Sequence, residues 1–308
     1  MDSIYNAESL KWEDILVSLD EVMSLRSYWE LTNPNIVSLL VFTAFTSAIM
    51  AGGVREPLKL LDITAAVAFC SMGARTLTNY VDRDIDALMN RTKHRPLPSG
   101  ALSPVSALAY GFGLSTLGLA IAIPLGLLYP ALLAVGMVDN IVVYNVLTKR
   151  RTPWNIILGA PSGGFPAFVG YLSISKSLSL TPFFLAAIVV LWTPIHIWSL
   201  AIRCREDYSK ASIPMLPVVL GVKKGIRCIA STSILLALFT ILLPFLPGSP
   251  FGELTLLASL ALSIPLLLIS FRLVKSPTEK TSWTLFKFTS PYLAILFTVM
   301  ALDVALFH

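Results

Sequence analysis

The segment NYVDRDIDALMNRTKHRPLPSG, residues 79–100, gathers both signs of charge directly after an apolar run. On a continuing helix, Asp82 and Asp86 share a face with Asn79, whereas Asp84 points roughly opposite. Two carboxylates and neutral oxygen atoms on one face suit a hard divalent cation, above all Mg²⁺, when phosphates supply its other ligands. The spacing therefore predicts a metal site at Asp82 and Asp86, with a solvated helix end paired to nearby bases as the alternative.

Three basic side chains follow these acids in a loop whose prolines restrict the backbone: Arg91, Lys93 and Arg95. Arg and Lys are the usual partners of phosphate groups. Acids that hold a metal beside bases that hold phosphate predict a site at which a diphosphate ionises.

A second polar set lies in LWTPIHIWSLAIRCREDYSKASIPMLP, residues 191–217. Polar groups on a membrane helix face the bundle interior or a water-filled cavity, because their exposure to lipid is costly. We therefore expect this helix to line a cavity. His196 is open to three interpretations: a hydrogen-bonded packing residue, a ligand of haem iron or a proton acceptor. At 100° per residue the stripe consists of Trp192, His196, Ser199, Arg203 and Asp207, with Glu206 beside it.

A third polar stripe, formed by Asn140, Tyr144 and Thr148, is consistent with the same cavity. Arg75 lies on the face of Asp82, about 10 Å further along the helix. It either neutralises the acid pair or binds an anionic group of a substrate. Asp139 is an obvious candidate for an ion pair with Arg75.

The elements that carry these residues are membrane helices. The chain has 308 residues, of which 55% are hydrophobic and 13% charged, and its mean hydropathy is +0.75. This apolar share exceeds that of soluble domains, and about 20 apolar residues span a bilayer as a helix. The prediction is an all-α polytopic membrane protein with nine spans: 36–52, 61–81, 104–123, 126–147, 155–174, 181–202, 225–245, 253–272 and 284–306.

Charge asymmetry predicts the orientation. Of 23 Lys and Arg residues, the predicted outer loops hold only Arg55, Lys59 and Lys176, and Arg75 falls within a span. The others lie on the side of the N-terminus, so the positive-inside rule places the N-terminus in the cytoplasm and the C-terminus outside the cell membrane. The net charge of +5 thus needs no nucleic-acid partner.

The chain also divides into two predicted parts. Residues 1–34 have the apolar spacing of an interfacial helix on the cytoplasmic membrane surface. Residues 35–308 form the membrane domain.

Four segments carry a resemblance to a known family: TNYVDRDIDALMNRTKHRPLPSG, YNVLTKRRTPWN, GAPSGGFPAFVG and LWTPIHIWSLAIRCREDYSKASIPMLPVVLG. Together they resemble the UbiA-type intramembrane prenyltransferases, and the WTPxHxW and DYxxAxIPMLP elements favour the haem-farnesylating branch, the haem O synthases. The resemblance implies transfer of a farnesyl group from farnesyl diphosphate to a vinyl group of haem b. The products are haem O and diphosphate. The resemblance further implies a nine-helix all-α fold with a central cavity that opens to the cytoplasmic side and laterally to membrane lipid.

The resemblance also implies residue roles. Asp82 and Asp86 are a first metal motif, and Glu206 and Asp207 a second, with Mg²⁺ as the cofactor; Asp82, Asp86, Asp207 and Tyr144 are the implied catalytic residues. Haem A synthase and cytochrome oxidase assembly factors are further implied partners. The implied substrate-binding residues are Asn79, Arg91, Lys93, Arg95, Lys149, Arg150, His196 and Arg203. The aromatic residues whose ring faces could stabilise an allylic cation are Tyr80, Tyr144, Trp192 and Trp198.

Three positions depart from the superfamily pattern: Thr78 replaces Asn, Glu206 replaces Asp, and LTNPN carries Asn33 and Asn35 where bases are common. The rival within the superfamily prenylates a quinone precursor or an archaeal lipid. The rival from another class is a secondary transporter, for which ions at the bilayer midplane are expected. The acids here cluster at cytoplasmic helix ends, which favours the enzyme.

Overall fold

The computed structural model describes residues 25–307, a bundle of long helices without a strand in that range. Helix α1 is described over Leu25–Leu31. The predicted surface helix before residue 25 lies outside the described residues. The other helices are α2 Pro34–Met50, α3 Pro57–Val81, α4 Arg83–Leu88, α5 Pro104–Ala122, α6 Leu128–Val138 with a π-helical continuation Asp139–Thr148, α7 Asn155–Ser175, α8 Thr181–Arg203, α9 Arg205–Lys210, α10 Leu216–Val219, α11 Val222–Leu242, α12 Glu253–Lys275 and α13 Glu279–Phe307.

The predicted all-α membrane fold is confirmed. Within the described range, eight helices are long and apolar enough to cross a membrane, and the bent pair α1–α2 gives a ninth if it counts as one span. The largest differences from the predicted bounds occur at two helix starts: α3 begins at Pro57 and α13 at Glu279. The first turns of these two helices contain charged residues, so a search for apolar stretches predicts a helix start that is several residues too late.

The bend between α1 and α2 has a local cause. Pro34 disfavours a helical conformation at the preceding residue, and Asn33 adopts a left-handed conformation with φ 53°. The two helix axes differ by 56°. The bend leaves the carbonyl of Leu31 free to accept a hydrogen bond from the Asn79 side chain at 2.6 Å, so α1 is attached to the end of α3.

At the far end of the bundle, Asp303 joins α13 to the start of α12. This buried residue of α13 accepts hydrogen bonds at Oδ2 from the amides of Gly252 and Thr255, at 2.7 and 3.1 Å, and from the Thr255 hydroxyl at 2.6 Å. It therefore caps the start of α12, where helical amides lack partners.

We expect Asp303→Ala to destabilise the fold by about 2–3 kcal/mol, because three donors lose their acceptor. Asp303→Asn keeps an oxygen acceptor and should lose less than half as much. The free energy of unfolding in mixed micelles tests both. An equal loss in the two variants would contradict a capping role.

Candidate active site

A cavity of about 300 Å³ lies among α2, α3, α6, α7 and α8. Its deep wall is largely apolar and includes Leu40, Val67 and Phe165. Four cationic side chains face two carboxylates, so the lining suits an anionic ligand with an apolar part. The ionisable acids and bases are Arg75, Asp82, Asp86, Arg91, Arg95 and Lys149.

Asp82 lies at the end of α3 and is buried. The Lys149 ammonium donates to Asp82 Oδ2. Asp82 Oδ1 is also buried and has no hydrogen-bond partner among the described residues. A buried anionic oxygen without a partner is costly, so this position favours a further cation.

Asp86 lies one turn further and is also buried. Its Oδ2 accepts a hydrogen bond from Arg95 at 2.7 Å, and its backbone carbonyl accepts one from Thr92 at 2.9 Å. Arg95 also donates to Asn79 Oδ1 at 3.3 Å. The basic loop therefore folds back onto the acids, as its position in the sequence predicts, although Asn79 itself is not among the lining residues.

Asp84 and Arg150 lie outside the cavity. Arg150 donates to both Asp84 oxygens, at 2.6 and 2.7 Å, and to the Val81 carbonyl at 2.9 Å. These hydrogen bonds lower the pKa of the Asp84 carboxyl. The structure thus does not place Arg150 with the cavity bases, whereas its neighbour Lys149 reaches Asp82. Lys93 is exposed and donates to Asn90 at 3.1 Å, also outside the lining.

The second acidic motif contacts the basic loop through the backbone. Asp207 Oδ1 and Oδ2 accept hydrogen bonds from the amides of Asn90 and Arg91, each at 3.2 Å. Glu206 is exposed. Among residues 25–307, no three His, Cys, Asp or Glu side chains converge as a metal site. The structure therefore brings Asp82 and Asp86 to the cavity and leaves Glu206 and Asp207 outside its lining.

The polar stripe of α8 faces α13 rather than the cavity. Trp192 Nε1 donates to the Thr289 carbonyl at 2.7 Å, and His196 Nδ1 lies 2.7 Å from Thr289 Oγ1. The His196 ring stacks between Trp192 and Phe286, with centroid distances of 4.5 and 4.3 Å. His196 thus lies in a helix contact and is not among the lining residues, although α8 does line the cavity, as predicted, through another of its faces.

A different face of α8 lines the cavity, with Thr193, Ile197 and Leu200. Further along the stripe, Arg203 is exposed and lies over the Trp283 ring at 4.7 Å. Helical periodicity identifies the polar face of a helix, but not which neighbour covers it.

Two aromatic residues lie at the polar mouth, Tyr144 and Tyr208. A Cβ at Gly159 would lie 2.6 Å from the Tyr144 ring, so Gly159 makes room for that ring. Burial raises the pKa of Tyr208. Tyr208 was not predicted, although it directly follows the second acidic motif. Three of the predicted aromatic residues do not line the cavity: Tyr80, Trp192 and Trp198.

The π-helical part of α6 changes which residues face the cavity. The Lys149 amide donates to the Tyr144 carbonyl, five residues earlier, at 2.7 Å. The wider turn presents Asn140, Tyr144, Asn145 and Lys149. Thr148, which an α-helical stripe predicts, instead donates to backbone carbonyls of its own helix. Such π-helical insertions occur frequently at functional sites.

Comparison with known proteins identifies the family. A family model described as the UbiA prenyltransferase family matches residues 39–294. The chain belongs to this family. It is therefore a multi-pass membrane prenyltransferase, and the transporter interpretation is wrong.

Individual relatives of this UbiA-family prenyltransferase cover nearly all of it. A protoheme IX farnesyltransferase of Thermoplasma volcanium is 41% identical over 283 residues, with 91% of this chain and 98% of the relative covered. One from Desulforudis audaxviator is 40% identical over 282 residues, with 91% and 88% covered.

Solved structures share the UbiA fold at lower identity. A digeranylgeranylglyceryl phosphate synthase structure has a TM-score of 0.74 at 18% identity, with 91% of this chain and 98% of that chain covered. A UbiA homologue from Archaeoglobus fulgidus, bound to DMAPP and Mg²⁺, has a TM-score of 0.67 at 17% identity, with 89% and 99% covered.

Proposed function

We propose that this prenyltransferase transfers the farnesyl group of farnesyl diphosphate to a vinyl group of haem b, giving haem O and diphosphate. The observation that carries the proposal is the unpartnered Asp82 oxygen in a cationic mouth above an apolar cavity. The choice of donor and acceptor is supported by the names of relatives at about 40% identity.

A divalent cation fits the residues at the mouth. Asp82 and Asp86 would hold it, because Asp82 Oδ1 lacks a partner and carboxylate oxygens are the preferred ligands of Mg²⁺. Lys149 and Arg95, which now neutralise these acids, would then be free to contact phosphate oxygens. When bound, Mg²⁺ supplies positive charge that stabilises the leaving diphosphate.

The basic residues hold the leaving group. Arg91, Arg95 and Lys149 line the mouth, and cationic donors aimed at phosphate oxygens stabilise the charge that develops as the carbon–oxygen bond of the donor breaks. This cleavage leaves an allylic cation on the farnesyl group. The reacting carbon therefore lies beside these three side chains.

The remaining steps need an aromatic ring that stabilises the cation and an apolar cavity wall that excludes water. Lys149 Nζ lies 5.8 Å from the Tyr144 ring centroid, so the ring lies beside the diphosphate site and can stabilise the cation. The apolar wall limits attack by water until the vinyl carbon forms the new carbon–carbon bond. Water then adds to the resulting haem-side cation and releases a proton, which gives the hydroxyl group of haem O.

The same proposal covers location and organisation. We infer from the positive-inside rule that the mouth and the N-terminus lie on the cytoplasmic side of the cell membrane and the C-terminus outside. The division into an interfacial segment 1–34 and a membrane domain 35–308 stays a prediction. Contacts with haem A synthase or cytochrome oxidase assembly factors stay a prediction.

The purified protein in lipid nanodiscs is expected to convert haem b and farnesyl diphosphate into haem O in the presence of Mg²⁺. Product mass and haem spectra measure this. Geranyl and geranylgeranyl diphosphates, a quinone precursor and a glycerol phosphate lipid serve as competing substrates in parallel reactions. Prenylation of one of these other acceptors without haem O would overturn the proposal.

A further inference from the structure

Arg75 is a charged residue within the membrane-spanning helix α3, and it lines the cavity. Its guanidinium makes no hydrogen bond or ion pair with any residue in the range 25–307, and its Nε is buried without a partner. An ionisable group inside a membrane helix is costly and commonly marks a functional site with a partner. Among residues 25–307, Asp82 and Asp86 interact with Arg75 electrostatically but form no ion pair or hydrogen bond with it, so its guanidinium is available to bind a further anion.

Within residues 25–307, each carboxylate that could pair with Arg75 has another donor instead. Asp139 Oδ2 accepts the Ser162 amide at 2.8 Å, and no ion pair joins Asp139 to Arg75 among the described residues. Asp82 is paired with Lys149, and Asp86 with Arg95. The direct ion pairs of the acid pair are thus made by other bases, and Arg75 contributes only a longer-range electrostatic interaction, which favours the second role that the sequence leaves open, binding a substrate anion.

We propose that Arg75 binds a carboxylate of the acceptor, namely a propionate group of the porphyrin. This inference rests on the proposed function. Diphosphate would be held at the mouth beside Asp82, whose backbone lies about 10 Å from that of Arg75 along α3, and an isoprenoid chain carries no charge. Haem b bears carboxylates on a different edge of the macrocycle from the vinyl groups. When a vinyl group lies at the mouth, a propionate on the other edge can therefore contact the Arg75 guanidinium, which lies deeper in the cavity.

The surroundings of Arg75 favour such a ligand. Ser71 lies one turn deeper on the same face of α3 and lines the cavity. A hydroxyl donor beside a guanidinium can complete the hydrogen bonds of one carboxylate, because carboxylate oxygens accept several. Arg is also better suited than Lys, since its planar group can bind a carboxylate through two parallel hydrogen bonds.

The test compares haem b with its dimethyl ester, in which both propionates are esterified, in the wild type and in Arg75→Gln. Arg75→Gln should raise the KM for haem b by about 10- to 100-fold, the size expected for a hydrogen bond to a charged group. The KM for the ester and the KM for farnesyl diphosphate should stay within about twofold. Arg75→Lys should restore part of the preference for haem b.

Arg151→Gln is the matched control, because it removes an exposed cation on the neighbouring loop and should leave both acceptors unaffected. If Arg75→Gln weakens both acceptors equally, its role is structural, and if the KM for farnesyl diphosphate rises instead, Arg75 serves the diphosphate; either result overturns the inference. Absence of haem O in the wild type overturns the proposed function together with it. If the wild type forms haem O but has the same KM for haem b and for its dimethyl ester, the inference is overturned and the proposed function is not.

Discussion

An Asp82→Asn variant is expected to lose about 1,000-fold in kcat, whereas Asp84→Asn should stay within about threefold of the wild type. Removal of one group that stabilises a developing charge costs on the order of 100- to 1,000-fold. Asp82 is buried at the cavity mouth with an unpartnered oxygen. Asp84 belongs to the same DRDID motif but lies outside the lining, with its side chain 61% exposed.

The two variants test position within one motif. Both remove a single carboxylate charge and keep the side-chain shape, so a general electrostatic effect would lower their activities alike. The measurement is the rate of haem O formation at saturating haem b and farnesyl diphosphate, over a range of Mg²⁺ concentrations. Equal losses in the two variants would contradict the assignment of Asp82 as a metal ligand.

Folding must be separated from chemistry, because Asp82→Asn leaves the buried Lys149 ammonium without its carboxylate. Breaking a buried ion pair from one side costs about 3–5 kcal/mol. The double variant Asp82→Asn/Lys149→Gln removes both charges and should recover much of the thermal stability. Its activity should stay low. Recovery of activity together with stability would show that the single variant fails through misfolding.

The acidic face of the first motif could be predicted because it depends on local geometry alone. Four-residue spacing places Asp82 and Asp86 on one side of a helix, and the structure has both at the cavity. The departure at Thr78 has a similarly local explanation. Its hydroxyl donates to the Arg75 carbonyl at 2.9 Å, so it satisfies its own helix, while Asn79 contacts the basic loop.

The π-helix could not be predicted from apolar spacing. A 3.6-residue period places Thr148 with Asn140 and Tyr144, but the i→i+5 hydrogen bonds of Asp139–Thr148 widen the turn and present Asn145 and Lys149 instead. The register of a membrane helix is set by its neighbours. Gly159 on α7, which makes room for Tyr144, is an example of such a tertiary contribution.

The direction of the α8 stripe depends on a partner that is distant in sequence. His196 and Trp192 both contact Thr289, which lies on α13. Polar groups on a membrane helix can be kept from lipid either by a cavity or by a neighbouring helix. The pattern of residues on α8 alone therefore does not tell which of the two the stripe faces. The same limit applies to Lys149 and Arg150, which are adjacent in the chain but contact different acids.

A Lys149→Gln variant is expected to lower kcat/KM for farnesyl diphosphate by about 100-fold, whereas Arg150→Gln should lower it by less than about threefold. Charge-assisted contacts to phosphate contribute about 1.5–3 kcal/mol each, which corresponds to about 10- to 100-fold. The upper value is expected for Lys149, since it lies at a buried position beside both Asp82 and the Tyr144 ring. Arg150 forms a partly exposed ion pair of the kind that contributes at most about 1 kcal/mol.

The comparison distinguishes this geometry from a general attraction of diphosphate to the KRR cluster. A general attraction would give similar losses for both residues, and these losses would shrink together at high ionic strength because exposed charges are screened. A direct contact by Lys149 predicts a loss that persists at 0.5 M salt, while the small effect of Arg150→Gln disappears. Equal losses at low salt that vanish together would contradict a specific role for Lys149. A loss confined to Lys149 at both salt concentrations supports a diphosphate site enclosed by α3, the basic loop and the π-helical end of α6.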